Sequence, residues 1–236
     1  MTDRETASRL TPTWGWWEPG TVELMRRMVT PGSLVFDVGA HVGYYTTLLA
    51  DLVGPTGRVH AFEPHPGNFQ AMRGNTEALP NVTITNTAVA DGAGARPLHF
   101  SGNTGRHSLF RTEFTGEAGR AVEVPTTTLS EYWERLGRPR VDLIKVDVEG
   151  AEPLVIAGAR ELLAANPDVL VITEYYPRNL RWGGSDEHHY LELLRRSGLT
   201  CQTIDDDGGL RPDLPSLQGD DYVNLLCRRD GPADPR

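Results

Sequence analysis

SLVFDVGAHVGYYTTLLA (residues 33–50) reads in three parts. Leu34, Val35 and Phe36 are a short apolar, partly β-branched run, as expected for a strand buried on both faces. Asp37 to Gly43 is a tight turn holding two glycines. Residues 44–51 then predict a helix with Tyr45, Leu48, Leu49 and Leu52 on its apolar face. Strand, glycine turn and helix together form a βα unit suited to cradling a nucleotide-like ligand. Glycine lets the backbone turn sharply and lie against the ligand, and the helix N-terminus offers its free N–H groups.

The turn differs from the dinucleotide fingerprint G-x-G-x-x-G, which seats a pyrophosphate on the helix end. It opens on an acid, Asp37, and only Gly39 and Gly43 follow. A carboxylate beside the ligand repels pyrophosphate and suits a cation, either an ammonium or a sulfonium. The D-x-G-x-x-x-G spacing resembles that of the S-adenosylmethionine-dependent methyltransferases. The plain alternative is a βα turn whose glycines serve packing alone.

Outward from this unit, strands and helices alternate. Residues 1–13 are polar and expected to be flexible. The aromatic cluster Trp14, Trp16 and Trp17 precedes a short helix over residues 21–29. A second strand (59–62) closes on Glu63 and Pro64, one βαβ unit beyond Asp37. A helix over 66–78 leads to a third strand over 82–90, which runs into Asp91. Two short extra strands (98–100 and 122–124) flank a polar, Gly-rich loop over 101–120, long enough to be a functional lid. A helix (128–136), a fourth strand (141–146), a helix (152–165) and an apolar central strand (169–173) ending at Glu174 follow. Residues 177–186 read as a loop and 186–197 as an amphipathic helix. Two closing strands (199–204 and 222–227) have no helix between them, and residues 230–236 read as a tail. The pattern predicts one α/β domain over residues 14–229: a mostly parallel sheet, helices on both faces, and an antiparallel edge.

Composition narrows the function. The net charge of −9 argues against nucleic-acid or anionic-membrane partners. No apolar run is long enough to span a membrane and no basic-then-apolar leader opens the chain, so a cytoplasmic protein is expected. In such a compartment Cys201 and Cys227 are expected to be buried thiols rather than a disulfide. The oligomeric state stays open, a homodimer included.

In an open α/β sheet, ligands gather beyond the carboxyl ends of the strands. Asp37, Glu63, Asp91, Asp147 with Glu149, and Glu174 all fall there. Any one of them is explained as a solvated turn residue, but five converging strand ends are not. Glu63, at the end of the second strand, is placed to hold a ribose diol. Lys145 sits inside a buried strand, where a lysine needs a partner. Asp147, two residues on, shares its face, and Glu149 continues the alternation. His107 lies on the lid beside Ser108 and is a candidate substrate contact. His188 and His189 read as surface residues.

The blocks VFDVGAHVGYYT and DLIKVDVEGAEPLVIAGA, with AFEPHPGNF between them and VLVITEYY after, resemble the FkbM-type methyltransferases. The resemblance covers roughly residues 18–200 and is most specific in the IKxDxEGxE block. It implies a Rossmann-like class I methyltransferase fold with S-adenosylmethionine as donor, methylating a hydroxyl on a natural product, sugar or glycan. His41 departs from the asparagine usual in the turn. Tyr175 and Tyr176 follow Glu174 where a histidine is frequent.

On this reading Asp37, Gly39, Ala40, His41 and Gly43 form the cofactor turn. Tyr44, Tyr45 and Thr46 open the helix beyond it. Glu63 and Pro64 hold the ribose, Ala90 and Asp91 flank the adenine, and Glu18 and Asp147 lie near the methionine end. Asp147, Lys145, Glu149 and His107 are the catalytic candidates. Mg2+ held by Asp147, Glu149 and Glu174 is an alternative way to activate the acceptor hydroxyl. The competing functions are N-methylation of a small-molecule amine, an NAD(P)-dependent oxidoreductase, and a cofactor-binding module without activity.

Overall fold

The glycine turn folds as the sequence predicts, and the sheet is built around it. The computed structural model describes residues 18–102, 105–115 and 120–229. The expectations for residues 1–13, the tryptophan cluster and residues 230–236 lie outside these. Strand β1 (Leu34–Val38) is central, with β2 (Arg58–Phe62) on one side and β7 (Leu143–Val146) on the other, both parallel to it. β3 (Val82–Thr85) extends the sheet beyond β2, and β8 (Leu170–Tyr175) beyond β7. The antiparallel edge is made by β11 (Val223–Arg228), β9 (Thr200–Ile204) and the short β10 (Leu210–Arg211). The order is β10-β9-β11-β8-β7-β1-β2-β3.

Alternation along the strands divides the core between two faces. Phe36, Val38, Ile144 and Val146 pack on one face, under α4 (Leu129–Arg135), α5 (Glu152–Gly158), α6 (Arg160–Ala165) and α8 (Glu187–Arg196). Val35, Val59, Leu143 and Ile172 pack on the other, under α1 (Pro19–Met28) and α2 (Tyr44–Val53). Asp37 and Lys145 share this second face by the same alternation. Helix α4 starts on a capping box between Thr128 and Glu131, and α8 on Asp186, whose carboxylate accepts from the His189 N–H.

Several expectations are corrected. The third strand divides: β3 stays in the main sheet, while β4 (Ala88–Val89) joins β5 (Gly94–His99) and β6 (Ala121–Thr127) in a separate three-stranded sheet. The helix expected over 152–165 breaks between α5 and α6. Gly158 there abuts the Ala90 carbonyl, and a Cβ would overlap it. Residues 177–186 are not plain loop, since Pro177–Trp182 forms a helix, α7, after α3 (Pro66–Thr76), α4, α5 and α6 in chain order. Cys201 and Cys227 are joined in a disulfide, because the antiparallel β9–β11 register seats them opposite each other, with a Cα–Cα distance of 4.1 Å. Among the described residues no helix is long and apolar enough to cross a membrane.

Candidate active site

A cavity of about 270 Å³ opens beyond the carboxyl ends of β1, β2, β7 and β8, far more than the ~10–15 Å³ that one ordered water needs. The glycine turn forms its floor. Gly39 has φ +83°, and a Cβ there would overlap the carbonyl oxygen of Asp147. Glycine therefore lets the ends of β1 and β7 close on each other. Gly43, at φ +90°, caps α2, but its missing Cβ faces Met72 (Cγ at 3.1 Å) and Thr76 on α3 rather than the cavity.

Glu63 stands at one side. Its Oε2 accepts from the His41 backbone N–H (2.9 Å) and its Oε1 from that of His65 (2.8 Å). Burial outweighs these bonds and raises its pKa to about 8. The side chain is thus fixed at the end of β2 with lone pairs to spare for a diol.

The opposite side carries a denser arrangement. The β1–β7 register sets Asp37 beside Lys145. Lys145 is the chain's only lysine and is 2% exposed. Its Nζ donates to Asp147 Oδ2 (3.0 Å) and lies 4.5 Å from the centre of the Tyr45 ring. Burial alone would discharge it, but Asp147, Asp37 and Glu18 outweigh burial and raise its pKa, so it is an ammonium. The Tyr45 hydroxyl donates to Glu18 Oε2 (2.6 Å). Glu18 holds the chain at φ +46° as it enters α1. Burial, then the charge of Asp147, raises its pKa. Glu149 takes a left-handed conformation (φ +54°), and its Oε2 accepts from Asn179 Nδ2 (2.7 Å). Burial, Asp147 and Glu152 push Glu149 up to about 8. Glu174 is buried at the end of β8, and burial with Asp147 and Glu149 raises its pKa far above the usual range. Glu152 is structural: it accepts from the Val148 and Gly150 N–H groups and braces the turn after β7.

Of the residues singled out by sequence, Glu18, Gly39, Ala40, His41, Tyr44, Tyr45, Glu63, Pro64, His107, Lys145, Asp147, Glu149 and Glu174 line the cavity. Asp37 and Thr46 stand behind the turn, joined by a Thr46 O–H bond to Asp37 Oδ2 (2.6 Å). Ala90 and Asp91 are not at the cavity. Ala90 is buried against Gly158, and Asp91 pairs with Arg96. Thr87, Ala88 and Val89 line it instead, because the chain turns into the second sheet before reaching residue 90.

His107 is on the lid as expected, stacked on His65 with ring centres 3.9 Å apart. Its Nδ1 accepts from the Ser101 N–H (3.0 Å), and burial with its histidine neighbours lowers its pKa to about 4. It is a neutral ring with its proton on Nε2, a hydrogen-bond donor rather than a base. Of the trio expected for Mg2+, Asp147 Oδ2 accepts from the lysine and Glu149 Oε2 from Asn179. No group of three His, Cys, Asp or Glu among the described residues is arranged to hold an ion. His188 and His189 are exposed on α8.

Sequence reasoning missed Arg106, Asn68, Tyr176 and Tyr222 on the cavity wall and Asn179 behind Glu149. The only available signal for Asn179 was the Pro at the start of α7, which marks a helix where a loop was read.

Residues 37–199 match the family model described as the methyltransferase FkbM domain. The chain is 32% identical over 159 residues to the 31-O-demethyl-FK506 methyltransferase FkbM of Streptomyces tacrolimicus, covering 56% of this chain and 61% of that protein. It is 25% identical over 194 residues to the 2-O-methyltransferase NoeI of Sinorhizobium fredii, covering 76% and 78%. The chain thus spans less than two thirds of the first relative's length. The structure of a TehB-like SAM-dependent methyltransferase from Corynebacterium glutamicum superposes with a TM-score of 0.54 at 14% identity, covering 97% of each chain. At that identity the likeness speaks for the fold.

Proposed function

The chain belongs to the FkbM methyltransferase family, and we propose that it is an S-adenosylmethionine-dependent O-methyltransferase acting on a hydroxyl of a natural product or sugar. The observation that carries this reading is the charge of the cavity. Glu18, Glu63, Asp147, Glu149 and Glu174 line it, with Lys145 buried among them. Burial first, and then neighbouring acids, raise the proton affinities of Glu18, Glu63, Glu149 and Glu174, which favours a ligand that brings positive charge. A ligand bearing an ammonium and a sulfonium supplies it, whereas a pyrophosphate would add to the excess. S-adenosylmethionine, when bound, brings an electrophilic methyl group on a positively charged sulfur.

The chain's own residues position and shield. Glu63, held rigid by two backbone N–H groups, is placed for the ribose hydroxyls. Lys145 fixes Asp147 at the rim, and Tyr45 fixes Glu18. The lid brings His107 and Leu109 over the cavity. Its Ser108 hydroxyl donates to the Glu149 carbonyl (2.7 Å), which ties the cover to the acidic turn. Holding donor and acceptor together and excluding water supplies much of the rate of an in-line transfer.

Isothermal titration with S-adenosylmethionine and with NAD tests the donor. Binding of the first and not the second is expected. Labelled methyl transfer to a panel of methyl glycosides, hydroxylated macrocyclic polyketides and their amine analogues tests the acceptor. Transfer only to the amines, or binding of NAD alone, would overturn the proposal.

A further inference from the structure

The cavity has two ends. Along the strand order β11-β8-β7-β1-β2, Glu63 follows β2 at one end, and Lys145 and Asp147 stand at β7 in the middle. Two tyrosines close the other end. Val223 of β11 pairs with Tyr175 of β8, and one step further along this antiparallel register brings Tyr222 beside Tyr176. Their ring centres are 6.0 Å apart with the planes at 45°, and both residues line the cavity. Tyr176 is buried, and its hydroxyl donates to Asp220 Oδ1 (2.9 Å). Tyr222 is 40% exposed. Of the exposed large apolar side chains among the described residues, Leu136, Leu214 and Tyr222, only the tyrosine lines the cavity. Burial, and then the charges of Glu18, Glu174, Asp147 and Glu149, raise its pKa to about 12, so its ring shares this end with those acids. Asp220, two residues earlier, also pairs with Arg178 of α7, which in turn pairs with Glu113 of the lid.

We propose that Tyr222, backed by Tyr176, is the acceptor platform of the cavity: the C–H face of a pyranose ring lies on it, with the hydroxyls of the ring edge turned to Asp147. This narrows the acceptor of the methyltransferase reading above and rests on it. An exposed apolar side chain by itself needs no explanation. An aromatic ring held at the mouth of an acid-lined cavity, and tied there to α7 and the lid, is different. A donor whose ribose is at Glu63 takes the β2 end, which leaves the β8–β11 end to the acceptor. A ligand there meets an aromatic face on one side and carboxyl groups beyond it. A pyranose suits both, because its C–H bonds gather on the ring faces and its hydroxyls around the edge. The negative face of the tyrosine ring attracts those weakly positive hydrogens. Asp147 is within reach of the edge: its side chain is 26% exposed, and Lys145 engages only Oδ2. A macrocyclic polyketide, apolar over most of its surface, would lay carbon against the same carboxyl groups and desolvate them without a hydrogen bond in return.

Tyr222→Ala and Tyr222→Phe test this in the full chain, with the methyl glycosides and macrocyclic polyketides of the panel as acceptors. The parent should methylate at least one methyl pyranoside with a higher kcat/KM than any macrocycle. Tyr222→Ala should raise the KM for that pyranoside by about tenfold or more. Its kcat, and its affinity for S-adenosylmethionine by titration, should stay within about threefold of the parent. Tyr222→Phe keeps the ring and should hold the pyranoside KM within about threefold of the parent. A parent that binds the donor but methylates no pyranoside, or prefers a macrocycle, overturns the proposal. A KM within about threefold of the parent in Tyr222→Ala removes the platform. Equal losses in both variants would assign the effect to the hydroxyl and overturn the stacking. Donor affinity weakened about tenfold or more in Tyr222→Ala would place the ring on the cofactor instead. A parent that binds no S-adenosylmethionine overturns the methyltransferase reading itself, a result distinct from each of these.

Discussion

The Lys145 ammonium lies 3.0 Å from Asp147 Oδ2, the lysine 2% exposed and the aspartate 26% by side chain. One partner is inside the protein and the other at the rim of the cavity. Lys145→Met would leave Asp37, Glu18 and Asp147 facing one another without a cation. Loss of about 3–5 kcal/mol in denaturant unfolding is expected, as for a broken buried pair. Asp147→Asn should act differently, because Asp37 and Glu18 still face the ammonium. Its melting temperature and donor affinity should stay near those of the parent while turnover falls by about 10²-fold or more. Loss of stability with normal turnover in the folded fraction would make the pair purely structural.

Gly43→Val follows from the direction of the missing Cβ. A side chain there meets Met72 and Thr76 and forces a left-handed backbone on a β-branched residue. Thermal unfolding should show the damage, and the protein that remains folded should keep most of its affinity for S-adenosylmethionine. A stable variant that fails to bind would show that the cavity is filled after all.

Glu63→Ala removes both the expected ribose contact and the clamp on the His41 and His65 N–H groups. Affinity for S-adenosylmethionine should weaken by about 0.5–1.5 kcal/mol at pH 7, where Glu63 holds its proton, and by up to about 3 kcal/mol above pH 8, where its hydrogen bonds are charged. Unchanged affinity by titration would remove Glu63 from the cofactor site.

The pH dependence of stability follows from the raised acids. Glu63 and Glu149 lie near 8 and Glu152 near 7, against an ordinary 4.5. The native chain therefore holds protons that the unfolded chain has already released. Their contribution is fully present below about 4.5 and is lost as the pH rises through 7 to 8. The lowered acids Glu192, Asp205 and Asp220 act below this window. The lowered histidines, His107 foremost, act in the opposite sense below about pH 6.5, so scanning calorimetry of the protein without donor should show the melting temperature falling from about pH 6.5 to 8.5. Added S-adenosylmethionine should raise it more at pH 8 than at pH 6, since cations favour the ionised acids. A melting temperature that climbs over this range would contradict these assignments.

The βα unit was legible because its signals are local. An apolar run, two glycines and a helical stripe lie within residues 33–50, and each is enforced by backbone sterics and period. The partnership of Lys145 with Asp147 was legible for the same reason: a two-residue spacing fixes a shared face. Asp91 was misread because strand 82–90 divides between two sheets, and a local pattern does not say which sheet a residue joins.

By itself, then, the sequence determined the parallel α/β frame, the glycine turn and the gathering of acids at the strand ends, all set by neighbours along the chain. Only the tertiary structure decided which of those acids enter the cavity and what each one meets there. Asn179 reaches Glu149 across 30 residues, Cys227 meets Cys201 through the β9–β11 register, and Glu174 is left with a bare buried oxygen. Hydrogen-bond satisfaction depends on groups brought together by packing, and sequence spacing carries no record of it.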